Sequence, residues 1–237
     1  MRPILPADWS AWRAPSPLGG RRPDRSDLEH ALRSDLGRDD VLPYPTDEQS
    51  AGMLQLLMVG INPSPWTSAV NAPFARPGNR FWPSLHLAGL TGRLVDASRG
   101  LVPEDERMLA ELGLGITNLV ERPTARAAEL AAAELREGAS RLVERVQVLR
   151  PSAVAVLGIT AVRAAFELPR AQLGEQDVSV IDRWPTNVPL WVVPNPSGLN
   201  AHETTASLAE KWRQVLAAST ARPRHPGEMW LTDEARN

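Results

Sequence analysis

Two short loops hold the side chains best suited to chemistry in this chain. Gly60-Ile61-Asn62-Pro63 closes the apolar run of residues 54–59, and Pro194-Asn195-Pro196-Ser197-Gly198-Leu199 closes that of residues 190–193. Around them the sequence offers amides, hydroxyls and one aromatic ring: Asn62, Ser64, Thr67, Ser68, Asn71, Phe74, Asn118, Thr124, Asn195 and Ser197. No carboxylate–histidine pair and no nucleophile elbow accompanies them. Such a set suits one kind of task. An amide carbonyl can hold and polarise a water while backbone N–H groups stabilise an anionic leaving group. An aromatic face can stack a flat heterocycle. A nucleobase leaving a sugar is such a heterocycle, and its departure as an anion needs little acid catalysis when donors surround it.

The composition narrows the alternatives. The chain has 237 residues, enough for one good-sized domain with an appended segment. A net charge of −2 excludes binding nucleic acid by bulk charge and leaves room for a local basic groove. The absence of cysteine removes disulfides, thiol nucleophiles and cysteine-ligated iron–sulfur clusters together. His30, His86, His202 and His225 are scattered without metal-ligand spacing, so neither a metal nor any other cofactor is expected. No apolar stretch approaches a membrane span and no apolar signal core opens the chain. The expectation is a cytoplasmic monomer without membrane contact, associated with the nucleoid if the host is bacterial.

The elements that would position these side chains can be read from pattern. Residues 54–59, 114–119, 153–157 and 190–193 are short, apolar, partly β-branched runs bounded by turn residues, and read as buried strands; residues 178–181 read as a weaker one. Between and after them, residues 103–112, 127–149 (broken at Gly138), 158–166 and 203–218 read as helices. Asn79 is expected to cap a helix through Phe81, Trp82 and Leu85 that Gly89 stops; these aromatics are assigned to packing. Residues 62–78, rich in proline, read as one long functional loop. Strands alternating with helices predict a three-layer α/β/α fold around a mostly parallel sheet of four or five strands. In such a sheet ligands bind beyond the carboxyl ends of the strands, so two Asn-Pro loops at two strand ends could face one cleft. Residues 1–50 read as a Pro/Arg-rich extension, partly disordered or holding one short helix over residues 26–36 with Ser26 as N-cap. Residues 51–220 read as the functional domain and residues 221–237 as a tail.

Five ordered segments carry a family resemblance. They are Gly60-Ile61-Asn62-Pro63 with Pro73-Phe74-Ala75-Arg76-Pro77-Gly78-Asn79-Arg80-Phe81-Trp82; Ile116-Thr117-Asn118-Leu119-Val120-Glu121-Arg122-Pro123-Thr124; Ala155-Val156-Leu157-Gly158; and Asn195-Pro196-Ser197-Gly198-Leu199. Together, over residues 54–218, the chain resembles the mismatch-specific uracil/thymine DNA glycosylases. The resemblance implies a DNA repair hydrolase that cuts the N-glycosidic bond of uracil, and of thymine or other damaged pyrimidines, in mismatched double-stranded DNA, with no cofactor. By position it implies that Asn62 holds the hydrolytic water. Ile61 and Phe74 would form the pocket wall, with Asn118 and Thr124 as polar pocket residues; Thr67 and Ser68 are assigned to the same pocket from the cleft reading, not from the resemblance. Asn195, Pro196, Ser197, Gly198 and Leu199 would form the loop whose wedge fills the gap left by a flipped base.

Departures from the pattern bear on substrate range. Ser64 and Trp66 stand where the family has glycine and a small residue, and Asn118 where some members carry lysine. No arginine follows the wedge; Asn200-Ala201-His202 does, with His202 at most a partial substitute for contacts to the opposite base. Two other function classes compete with the glycosylase: a lesion-sensing DNA-binding protein that lost activity through Ser64 and Trp66, and a small-molecule hydrolase on the same sheet. Arg76 and Arg80 are candidates for phosphate contact or for plain surface solvation.

Overall fold

In the computed structural model, which describes residues 4–33 and 40–221, five strands form one sheet in the order β2-β1-β3-β5-β4. β1 (Leu56–Gly60), β2 (Leu114–Asn118), β3 (Val154–Leu157) and β5 (Leu190–Val193) are parallel, and β4 (Gly174–Glu175) runs antiparallel along the β5 edge. The expected three-layer α/β/α architecture is the one observed. Side chains alternate across the strands with period two. Leu57, Val59, Val154, Val156, Leu190 and Val192 face one layer, made mainly by α6 (Ala132–Leu149) and α7 (Ile159–Ala165). Leu56, Met58, Leu114, Ile116, Ala155 and Val193 face the other, made by α3 (Pro65–Val70), α4 (Phe81–Leu87), α5 (Pro103–Leu112) and α8 (Thr205–Ala221). Continuous burial of β1 and β3 follows from being covered on both faces.

Several local expectations need correction. Residues 178–181 are not a strand. Asp177 accepts from the Ser179 N–H and closes a single 3₁₀ turn over Val178–Val180, and the fifth strand is instead β4, two residues long. The helix expected from residue 127 begins at Ala132, after a 3₁₀ turn, and runs unbroken through Gly138. Gly138 serves close packing: a Cβ there would lie 2.3 Å from the Leu119 carbonyl oxygen, so the glycine lets α6 rest on the exit of β2. The proline-rich loop contains α3, with Ser64 as N-cap accepting from Thr67 N–H and Pro65 in the first turn, where its missing N–H costs nothing.

The amino-terminal residues pack against this frame. α1 (Arg25–Arg33) lies on α3 and is capped by Asp24, which exchanges hydrogen bonds with Asp27; Ser26 lies inside the helix, and residues 34–36 fall outside the described ones. The Arg13 guanidinium forms a buried ion pair with Glu106 at 3.0 Å and donates to Asn71 O at 2.9 Å. Removing one partner of such a pair would strand a buried charge. α2 (Asp47–Ser50) follows, and Val41 bridges to Ile116, covering the outer edge of β2.

Candidate active site

The chain crosses from the β2 side of β1 to the β3 side, so the sheet has a switch point at β1/β3, where a crevice opens beyond the strand ends. A cleft of about 450 Å³ lies there. It is lined by residues from the ends of four strands: Ile61 and Asn62 after β1, Asn118 at the end of β2, Leu157 at the end of β3, and Asn195 after β5. The two Asn-Pro loops, far apart in sequence, meet in it.

Asn62 is held in one orientation. Its Nδ2 donates to the Arg122 carbonyl at 2.9 Å and to Thr124 Oγ1 at 2.7 Å. The Thr124 hydroxyl in turn donates to Arg126 O at 2.9 Å. This chain of donors assigns the nitrogen end of the amide inward and leaves Oδ1 without a partner among the described residues. Arg122 is fixed from behind: it makes two hydrogen bonds to the Glu134 carboxylate, at 2.8 and 3.0 Å, and one to Glu129 O. Arg122 first, and then the Ala131 N–H, hold the Glu134 carboxyl down to about 2. Thr124, 4% exposed, thus reaches the cleft chiefly as a support for Asn62.

Phe74 stands on the cleft wall with a left-handed φ of 54°, and its ring stacks on buried Phe81 with centroids 3.9 Å apart. One face is therefore backed by the core and the aromatic plane is fixed. Gly60 makes room for this arrangement: a Cβ on it would lie 2.3 Å from Asn118 Oδ1 and 3.2 Å from Phe74 Cζ. The Asn118 amide has no partner among the described residues, and neither do the backbone N–H groups of Ile61 and Phe74. Free donors and acceptors at a cleft wall are what a polar planar ligand requires.

Thr67 reaches the cleft from α3. Ser68 does not: it is buried inside the helix, with its hydroxyl donating to Ser64 O, so its expected place in the pocket is corrected. Asn71 caps the other end of α3 and donates to Ala14 O, away from the cleft. Trp66 also turns away, its indole N–H bonded to Ser98 O, and so does not fill the space that a smaller residue would leave. Ser64 does line the cleft, but its hydroxyl is occupied in capping α3.

Asn195, Pro196, Ser197 and Leu199 border the cleft, and Leu199 projects with 78% of its surface exposed. Gly198 and His202 are exposed outside the lining. The glycine at 198 is needed against the protein itself, because a Cβ there would lie 2.6 Å from Gly78 O. Arg80, offered by sequence for phosphate or solvent, instead donates to backbone carbonyls of this loop. Neither the Arg80 contacts nor the Arg122–Glu134 support was found by sequence reasoning. For the second a signal existed, since Glu134 sits three residues after the helix entrance at Ala131 and bonds its N–H.

Among the described residues the cleft holds no carboxylate, histidine or lysine; its charges are Arg76 and Arg126 at the mouth. Among the described residues no cluster of acidic or histidine side chains could hold a metal ion. Chemistry here rests on oriented neutral dipoles, and of the two rim charges Arg126 is paired with Glu129 at 3.6 Å. A model of the uracil DNA glycosylase superfamily matches residues 48–217, a span holding every strand of the sheet and every residue of the cleft. The chain belongs to the uracil DNA glycosylase superfamily, whose members are DNA glycosylases.

Proposed function

We propose that the chain is a monofunctional DNA glycosylase of the mismatch-specific uracil/thymine branch. It hydrolyses the N-glycosidic bond of uracil, and of thymine or other damaged pyrimidines, in mismatched double-stranded DNA, and so begins base excision repair. The observation that carries this reading is the orientation of Asn62. With Nδ2 engaged by Arg122 and Thr124, Oδ1 is the atom available to accept from a water. The water attacks the anomeric carbon, the glycosidic bond breaks with its electron pair leaving on the base as an anion, and the attacking water gives up its proton to bulk solvent once the new C–O bond has formed. Backbone N–H groups of Ile61 and Phe74 stabilise that charge while the ring lies on Phe74. With no acid or base in the cleft among the described residues, the rate depends on such stabilisation rather than on general acid–base catalysis.

Arg76 at the rim is placed to meet a phosphate, giving local positive charge to a chain of net charge −2, and Arg126 can do so by exchanging its exposed ion pair with Glu129 for the DNA backbone. Leu199 acts as the wedge that occupies the stack vacated by the base, and Asn118 meets the polar edge of the base. Neither Ser64 nor Trp66 obstructs the cleft, which favours an active enzyme over a lesion sensor that has lost its chemistry. The test is incubation with a duplex containing a single G·U mismatch. Strand breakage only after hot alkali is expected, because the product is an intact backbone with an abasic site. Tight binding with no alkali-labile product would favour the sensor.

A further inference from the structure

Arg80 precedes α4 and lies outside the cleft lining, yet it reaches the loop that carries Leu199. Its Nη1 donates to Ser197 O at 2.9 Å and to Asn200 O at 3.1 Å, and Nη2 to Gly198 O at 3.4 Å. Its backbone N–H donates to Pro196 O at 2.9 Å. One residue therefore collects four carbonyls that bracket Leu199 on both sides. No acidic side chain pairs with Arg80 among the described residues, so its charge is directed at these dipoles, which makes the hydrogen bonds charge-assisted. Gly198 supplies a second attachment by lying against Gly78 O, on the turn that follows Phe74.

The consequence concerns Leu199. An apolar side chain 78% exposed at a loop tip would ordinarily sample many positions. Here the backbone on each side is tied before any DNA arrives, so ordering happens on folding and not on binding. We propose that Arg80 is a positioning residue for base flipping: it pre-orders residues 196–200 and joins the wedge to the turn that follows the Phe74 platform. Intrusion into the duplex and capture of the extruded base then occur on one rigid unit. The proposal rests on the glycosylase reading above and on the wedge role of Leu199.

The variants are Arg80→Ala, Arg80→Lys and, independently, Gly198→Ala, which would push the loop off Gly78. Uracil excision is measured in a G·U duplex and with the same uracil in an unpaired bubble. A 2-aminopurine beside the uracil reports flipping by fluorescence without any need for chemistry. If losing the clamp leaves the wedge conformation about a tenth populated, duplex excision falls about tenfold. Bubble excision should stay within about twofold, since an unpaired base needs little opening. Arg80→Lys should fall between, because an ammonium cannot span three carbonyls as the planar fork does. Gly198→Ala should lower duplex excision and the flipping signal as Arg80→Ala does. Duplex excision or a flipping signal unchanged in Arg80→Ala, or equal losses in duplex and bubble, would overturn the proposal. A wild type that releases no uracil would sink the glycosylase reading; the fluorescence signal would still support the clamp if Arg80→Ala reduced it, and overturn it if the two proteins matched or neither gave a signal.

Discussion

Replacing Thr124 by valine keeps the shape of a side chain that is 4% exposed and removes its hydroxyl. Two hydrogen bonds go with it, from Asn62 Nδ2 at 2.7 Å and to Arg126 O at 2.9 Å. The Asn62 amide keeps its bond to Arg122 O, so it is half released rather than free. A neutral hydrogen bond contributes about 0.5–1.5 kcal/mol net, and an unsatisfied buried donor costs about 1–3 kcal/mol. Asn62 is only half-buried, so water can satisfy the freed N–H, at the price of letting the amide turn. A loss of about 1–2 kcal/mol in transition-state stabilisation follows, or about 5- to 30-fold in single-turnover excision. Thr124→Ser keeps the hydroxyl and should stay within about twofold. Affinity for a G·U duplex should hardly move in either variant, since Thr124 acts through Asn62. Single-turnover rates and binding isotherms on one duplex decide the matter. Valine at the wild-type rate, or serine falling as far as valine, would refute the claim that the hydroxyl sets the amide.

Other expectations follow from the same geometry. Leu199→Ala should cost about 1–3 kcal/mol, the scale of a lost stacking contact, and should slow excision from A·U pairs more than from G·U mismatches. With no arginine after the wedge, wild type should also depend on the opposite base only weakly; a preference for guanine of several thousandfold would contradict this. Excision should be flat between roughly pH 5 and 8 at fixed ionic strength, and a bell-shaped profile would reveal an acid or base absent from the cleft. The Arg122–Glu134 support does not disturb that window: a carboxyl lowered to about 2 on folding contributes fully above its unfolded value, and the contribution is lost progressively as pH falls from there through about 2. Borohydride should trap no covalent adduct, because the single lysine, Lys211, lies on α8 beside Glu203 and away from the cleft.

Much of this was legible in the sequence because burial on both faces writes itself as continuous apolar runs, and turn residues mark where each run stops. Residues 54–59 and 190–193 read as strands of one sheet on that basis, and the Asn-Pro loops as partners at their ends. α3 was hidden inside a proline-rich stretch, although Ser64-Pro65 is a cap followed by a first-turn proline. The alternation over residues 178–181 looked like a strand because β-branched residues carry that pattern; the side chain of Asp177 turns the backbone instead. β4 left no signal, since two residues on a sheet edge need no apolar face. Ser68 was misplaced because α3 rotates it inward while Thr67 reaches the cleft. The Arg80 contacts were beyond reach, as nothing local to residue 80 indicates carbonyls more than a hundred positions later.

The central claim is that the Asn62 amide acts in the transition state through Oδ1. Its most direct test is single-turnover uracil excision from a G·U duplex by wild type and Asn62→Ala, with binding measured on a duplex carrying a non-cleavable uracil analogue. Removing one pre-oriented polar group of this kind costs on the order of a hundredfold or more in rate, and the dissociation constant should stay within about threefold. An Asn62→Ala protein that excises at the wild-type rate, or one that loses binding as much as rate, would contradict the account.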